Sequence, residues 1–262
     1  MISAMTATGW AVRDGWIVMD RHLRHVRRVP QILFFSTVQP VVFLFLLAAV
    51  FGRAVQVPGI EYAVFLVPGV FVQSMSFSGA STSVGLAEDM RGGFIDRYRS
   101  LPMSRSAVLV GRIAADAVRN LLVVIGLAAV AHLIGFRFET GPLEVLAGLA
   151  MLLLFGLSLS CVGACIGLAA RTPEAAHMAS TIWIFPLVYT STAFVPMELL
   201  PEWLRVWAGY SPVTAVVGAM RGLFFGYGDT TGSLILTLSW SALIGLVCVP
   251  LAVRLFNRAA SR

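Results

Sequence analysis

The chain contains no lysine; all nineteen of its basic residues are arginine. A P-loop uses its lysine to reach the β- and γ-phosphates of a nucleotide. No standard P-loop therefore exists here, and ATP used in that way would be bound by another polypeptide. Charge of either sign is sparse, at 12% of 262 residues against 58% hydrophobic, with a mean hydropathy of +0.85. Soluble domains carry about a quarter charged residues, so an ordinary soluble domain is excluded. Cysteine is nearly absent: Cys161, Cys165 and Cys248 all lie in apolar runs. An odd count argues against a disulfide framework, and Cys161 and Cys165, four apart on one helix face, read as small packing residues rather than metal ligands. The four histidines are scattered, and neither an HExxH, a carboxylate cluster nor a G-x-S-x-G occurs. Ion-driven transporters usually place acids near the bilayer midplane. Glu61, Glu144 and Glu174 instead fall at predicted membrane edges.

What is present is a series of apolar runs near the twenty residues needed to cross a bilayer. They predict an all-α integral membrane protein with six transmembrane helices at about 31–51, 60–86, 113–136, 143–170, 175–194 and 233–253. Residues 31–254 form the membrane domain and 255–262 a short tail. Residues 1–30 lack the layout of a secretory signal. There Val12, Trp16, Met19, Leu23 and Val26 form one helical stripe, with Arg13, Arg21, Arg24, Arg27 and Arg28 among the residues opposite. A basic amphipathic helix with tryptophan on its apolar side suits the membrane interface, in preference to a solvated helix against a partner. Residues 195–232 predict two further short helices, too short to cross and too apolar for a free loop, lying re-entrant or interfacial on the outer side. Fourteen arginines fall on one side, four (Arg53, Arg137, Arg205 and Arg221) on the other, and Arg119 within the third span. The positive-inside rule places both termini in the cytoplasm. The arginines flank membrane runs rather than form a basic face, so the net charge of +6 implies no nucleic acid.

Within the second span, Gln73, Ser74 and Ser78, with neighbouring serines, interrupt the apolar pattern. Such residues serve either helix packing or a polar substrate path. The following stretch, Glu88 to Asn120, holds the densest charge of the chain. In it Phe94, Ile95, Tyr98 and Leu101 form the apolar side of a short helix whose other side shows Asp96, Arg97, Arg99 and Ser100. Gly92-Gly93 precede it and Pro102 closes it. A helix of this kind can enter a groove on a cytoplasmic protein or lie flat on the bilayer. Further on, Arg112, Asp116 and Arg119 share a helix face, where Asp116 can pair with both arginines. Pairing would reduce the cost of a membrane charge, about 2.5–3.5 kcal/mol for an unpaired one at mid-span. Simple snorkelling of the arginines to the interface is the alternative.

The run Arg91-Gly92-Gly93-Phe94-Ile95-Asp96-Arg97-Tyr98-Arg99-Ser100-Leu101-Pro102-Met103-Ser104-Arg105, continued by Gly111-Arg112 and Asp116-x-x-Arg119, resembles the cytoplasmic loop of ABC-2-type exporter permeases, in particular the daunorubicin/doxorubicin-resistance branch. Pro196-x-x-x-Leu200-Pro201-x-Trp203-Leu204, Ser211-Pro212 and Arg221 fit the same family. The resemblance covers essentially the whole chain. It implies a permease of a bacterial plasma-membrane pump built from two permeases, as a homodimer in preference to a heterodimer, and two cytoplasmic ABC ATPase subunits. ATP and Mg would sit on the ATPase, with no cofactor, metal or catalytic residue in this chain. Residues 1–30 would be a connecting helix. Arg91, Phe94, Ile95, Arg97, Tyr98, Arg99, Leu101 and Pro102 would form the coupling region that receives ATPase motion. The cargo would be a hydrophobic or amphipathic drug or lipid-like compound; the alternatives are a lipid-linked glycan exporter subunit, an intramembrane enzyme or a membrane scaffold.

Overall fold

The computed structural model describes residues 30–92, 105–133, 136–170 and 172–259. The amphipathic stripe before Pro30 and the coupling segment from Phe94 to Pro102 lie outside the described residues. In chain order the helices are α1 (Pro30–Phe51), α2 (Tyr62–Arg91), α3 (Arg105–Leu133), α4 (Pro142–Ala169) and α5 (Pro173–Tyr189). A 3₁₀ turn (Met197–Leu199) then precedes α6 (Glu202–Tyr210), α7 (Pro212–Phe225) and α8 (Thr230–Ala259). No strand occurs among the described residues.

Local chemistry explains the boundaries. Thr172 caps α5 by accepting from Ala175 N at 3.2 Å, and Pro173 opens it. Proline also opens α4 and α7, where its fixed φ suits a first turn. Gly226, at φ +67°, ends α7 in the left-handed conformation that only glycine adopts without strain.

Among the described residues, four segments are long and apolar enough to cross a membrane: Tyr62–Arg91, Gly111–Leu133, Pro142–Ala169 and Thr230–Phe256. α2 is the axis of the fold, packing on α4 and α5 and also touching α1, α3 and α7. Its most apolar stretch is 78% buried, against 11% for that of α8, so α8 is peripheral. The α2–α4 seam is close because glycines face backbone: a Cβ on Gly163 would lie 2.0 Å from Gly79 O, and one on Gly79 would lie 2.7 Å from Leu159 O. Small residues at this spacing let helix backbones approach in lipid. Around the seam, Leu66, Met75, Leu152, Phe155, Leu159 and Phe224 are almost completely buried. Val42, Phe45 and Leu46 of α1, Ile182 of α5 and Leu246 of α8 point outward, as lipid-facing side chains must.

Two elements depart from expectation. The fifth apolar run, expected to be helical through 194, stops at Tyr189. Pro186 stands in its last turn, Thr190 N and Oγ1 both donate to Pro186 O (2.9 and 2.6 Å), and Ser191 Oγ donates to Val188 O. Beyond this turn residues 190–195 form a mostly buried irregular segment, whose backbone N–H groups are taken up by side chains, Thr192 N by Thr214 Oγ1 and Ala193 N by Ser191 Oγ. The two short helices also differ in kind. α6 exposes Trp203 (74%), Val206, Trp207 and Tyr210, whereas α7 buries Val213, Val216, Val217, Met220 and Phe224 inside the bundle.

Candidate functional site

α2 and α3 flank the charged insert, and they are joined beside it by a ladder of polar contacts. Arg112 pairs with Asp89 and donates to Gly85 O at 3.1 Å. One turn further, Asp116 accepts from Thr82 Oγ1 at 2.7 Å and lies 3.5 Å from Arg119. Next, Arg119 Nη2 donates to Ser78 Oγ at 3.0 Å, and Ser78 Oγ donates to Asn120 Oδ1 at 2.6 Å. On α2 the rungs are Asp89, Gly85, Thr82 and Ser78; on α3 they are Arg112, Asp116 and Arg119 with Asn120. The order is antiparallel, as it must be for a helix hairpin with the insert at its tip.

The ladder amends the expected pairing. Asp116 does pair with Arg119, but Arg112 reaches across to Asp89 of α2 instead of back along its own helix. The long arginine side chain spans the interhelical gap because residue 85 is glycine; a Cβ there would fall on the guanidinium. Asp116, Asn120, Ser78 and Thr82 are all buried. Low local dielectric makes the bonds of such a network strong and their loss costly, although Asn120 Nδ2 stays without a partner among the described residues.

Arg91, the last residue of α2, is exposed at the start of the insert. Phe94, Ile95, Arg97, Tyr98, Arg99, Leu101 and Pro102 lie outside the described residues. The three residues considered for a substrate path are not brought together. Ser78 belongs to the ladder, and Ser74 Oγ bonds its own helix at Val70 O. Gln73 alone turns toward α5, donating from Nε2 to Tyr189 OH at 2.9 Å. Its Oε1 is buried without a hydrogen-bond partner.

Around Gln73 stands a row of rings. Phe77 meets Phe185 edge-on at 5.5 Å, Phe185 stacks on Tyr189 at 5.4 Å, and Tyr189 and Phe43 each lie near Phe194, at 5.5 and 5.4 Å. Phe185 and Tyr189 are more than 40% exposed. α1, α2 and α5 thus share an aromatic face with one amide acceptor in it, shaped to stack flat rings. Ring spacing along three separate helices carries no periodic signal, which is why the row escaped sequence reasoning. Arg221 was missed as well. Grouped with the flanking arginines, it is instead 5% exposed within α7. A lone arginine in an apolar helical stripe was the available sign.

The family described as ABC-2 type transporter matches residues 13–225, a range that holds the insert, the ladder, the aromatic face and α7. The daunorubicin resistance ABC transporter permease protein DrrB1 of Streptomyces coeruleorubidus is 31% identical over 239 residues, covering 90% of this chain and 83% of that protein. The probable doxorubicin resistance ABC transporter permease protein DrrC of Mycobacterium tuberculosis is 27% identical over 86% of this chain and 82% of its own. The inner membrane transport permease YadH of Escherichia coli is 23% identical over 78% and 80%.

Proposed function

The chain belongs to the ABC-2 type transporter family and is a permease subunit of an ABC exporter; from that premise we propose that its cargo is a flat, aromatic, amphipathic compound of the anthracycline kind. The observation that carries this reading is the aromatic face around Gln73. Rings that meet edge-on and stacked offer surfaces for a planar polycycle, and a turn of the Gln73 amide would bring its buried, unpartnered Oε1 within reach of a hydroxyl or ammonium donor. The drugs named for the Streptomyces and Mycobacterium relatives agree with that chemistry.

ATP hydrolysis belongs to the partner ATPase subunit, and the chain's part is mechanical. The insert between α2 and α3 meets the ATPase through Phe94, Ile95, Tyr98 and Leu101, with Arg97 and Arg99 on the opposite side. The ladder binds the two helices that leave the insert, so both move as one lever. Ion pairs and hydrogen bonds suit this better than apolar packing alone, because they resist sliding along the seam as well as separation. The topology proposed has six spans (α1 to α5 and α8), both termini cytoplasmic, and α6 and α7 toward the outer side. Two copies with two ATPases complete the pump in a bacterial plasma membrane. The exposed tryptophans of α6 support an interfacial position there.

ATPase stimulation tests the reading. With purified ATPase and this chain in lipid nanodiscs, daunorubicin should raise the hydrolysis rate, and a non-aromatic amphiphile of equal charge should not. Equal stimulation by both compounds, or stimulation of the ATPase without the chain, would reject the aromatic cargo.

A further inference from the structure

Arg221 ties together three parts of the chain that meet at the end of α5. Its guanidinium lies 3.4 Å from the centroid of the Phe65 ring. Nε and Nη2 donate to Phe65 O at 3.4 and 3.1 Å, and Nη2 also reaches Thr192 O at 2.9 Å and Ala193 O at 3.3 Å. Each of these acceptors is a backbone carbonyl, and no carboxylate pairs with Arg221 among the described residues. Two of the carbonyls belong to the unwound segment 190–195, which interior backbone requires to be satisfied by side chains. Other fastenings of that segment are Tyr62 OH of α2, which donates to Phe194 O at 2.9 Å, Thr214 Oγ1 of α7, which accepts from Thr192 N at 3.2 Å, and Trp207 Nε1 of α6, which donates to Thr190 Oγ1 at 3.0 Å. Gly69 of α2 leaves room for the segment, since a Cβ there would lie 2.0 Å from Ala193 O.

The position of this clasp gives it mechanical meaning. α2 carries the ladder on its last four turns and the clasp on its first turn, at the far end of a helix about 45 Å long. Pro68 lies between them, where a missing N–H allows a bend. Of the aromatic face, Tyr189 directly precedes the fastened segment and Phe194 lies within it, so moving the segment would part those rings. A guanidinium held by neutral carbonyls is also reversible in a way that a buried ion pair is not. Breaking a buried ion pair strands two opposite charges; here one charge is at stake, and water that enters as the segment leaves can solvate both the guanidinium and the freed carbonyls.

We propose that Arg221 is a positioning residue of export: it pins segment 190–195 onto α2 in the resting permease, and tilting of α2 during the ATP cycle unpins the segment and opens the aromatic face. This inference rests on the lever reading above, but not on the identity of the cargo. Accessibility of the segment tests it. With Cys161, Cys165 and Cys248 replaced by alanine, Thr192→Cys is placed in the segment, and the complex with its ATPase is held in nanodiscs and reacted with a maleimide. The parent should label slowly without nucleotide and at least about tenfold faster during ATP turnover, the factor expected from losing one hydrogen bond to a charged group. Arg221→Met should label at the fast rate without nucleotide. Arg221→Lys, which keeps the charge but loses the planar fork, should fall between. If Arg221→Met does not elute as a single species, Arg221→Lys decides. Labelling that ignores nucleotide in the parent, or arginine-like protection in the folded variants, would overturn the proposal. Daunorubicin export in the same preparation separates the two readings: absent export with intact nucleotide-dependent labelling rejects the cargo and keeps the clasp.

Discussion

Replacing Gly163 by alanine tests the seam around which the bundle is built. The new Cβ would stand 2.0 Å from Gly79 O and 2.9 Å from Gly79 C. Carbon needs about 3.5 Å, so the contact is short by roughly 1.5 Å. Both partners are helix backbone, so no rotamer change relieves the overlap and α2 must move away from α4. That loosens Leu152, Phe155 and Leu159, which are essentially buried. Overpacking costs 1–3 kcal/mol as a rule, and a backbone clash belongs near the top, about 3 kcal/mol. Alanine returns about 1 kcal/mol of helix propensity, leaving a net loss of about 2 kcal/mol. Gly245 of α8 supplies the internal control, since nothing among the described residues lies within 4 Å of a Cβ there; its alanine variant should gain up to about 1 kcal/mol. Both can be measured by SDS-induced unfolding followed by tryptophan fluorescence. A Gly163→Ala protein as stable as Gly245→Ala would refute the close seam and the central place given to α2.

Three further outcomes are expected. Asp89→Ala and Arg112→Ala, measured singly and together, should show a coupling energy of about 0.5–3 kcal/mol, and additive losses would deny the first rung of the ladder. Phe94→Ala combined with Leu101→Ala should leave the chain inserted while weakening ATPase association or uncoupling hydrolysis, with undiminished ATP-driven efflux as the contrary result. Gln73→Leu removes the hydrogen bond to Tyr189 and the unpartnered carbonyl together; thermal stability should hold within about 1 kcal/mol, while kcat/KM for daunorubicin export falls about tenfold, and unchanged export would remove Gln73 from the cargo path.

The apolar runs announce an all-helical membrane chain, and the helices begin and end near the boundaries that proline, glycine and threonine suggest. The early stop of α5 was harder to read, because Thr190 to Thr192 look like small polar residues in an apolar run, and the side chains that hold the unwound segment come from other helices. The stripe of Arg112, Asp116 and Arg119 was legible from its spacing, but Asp89 as the partner of Arg112 was not. Sequence periodicity reports which residues share a helix face and says nothing about which neighbouring helix that face meets. The same limit hid the aromatic row, whose rings come from three helices and the segment beyond α5. It also hid the clasp of Arg221, whose acceptors are backbone carbonyls that every residue carries. Ser74 and Ser78 take the packing side of the choice left open by the sequence, bonding their own helix and a neighbouring one.

Transport itself puts the account to its most direct test. Inside-out vesicles containing the chain and its ATPase should accumulate daunorubicin when ATP is added, and should fail to do so when either protein is omitted or the ATPase cannot hydrolyse. Accumulation that persists without this chain, or none with both proteins present and hydrolysing ATP, would contradict a permease that exports aromatic amphiphiles.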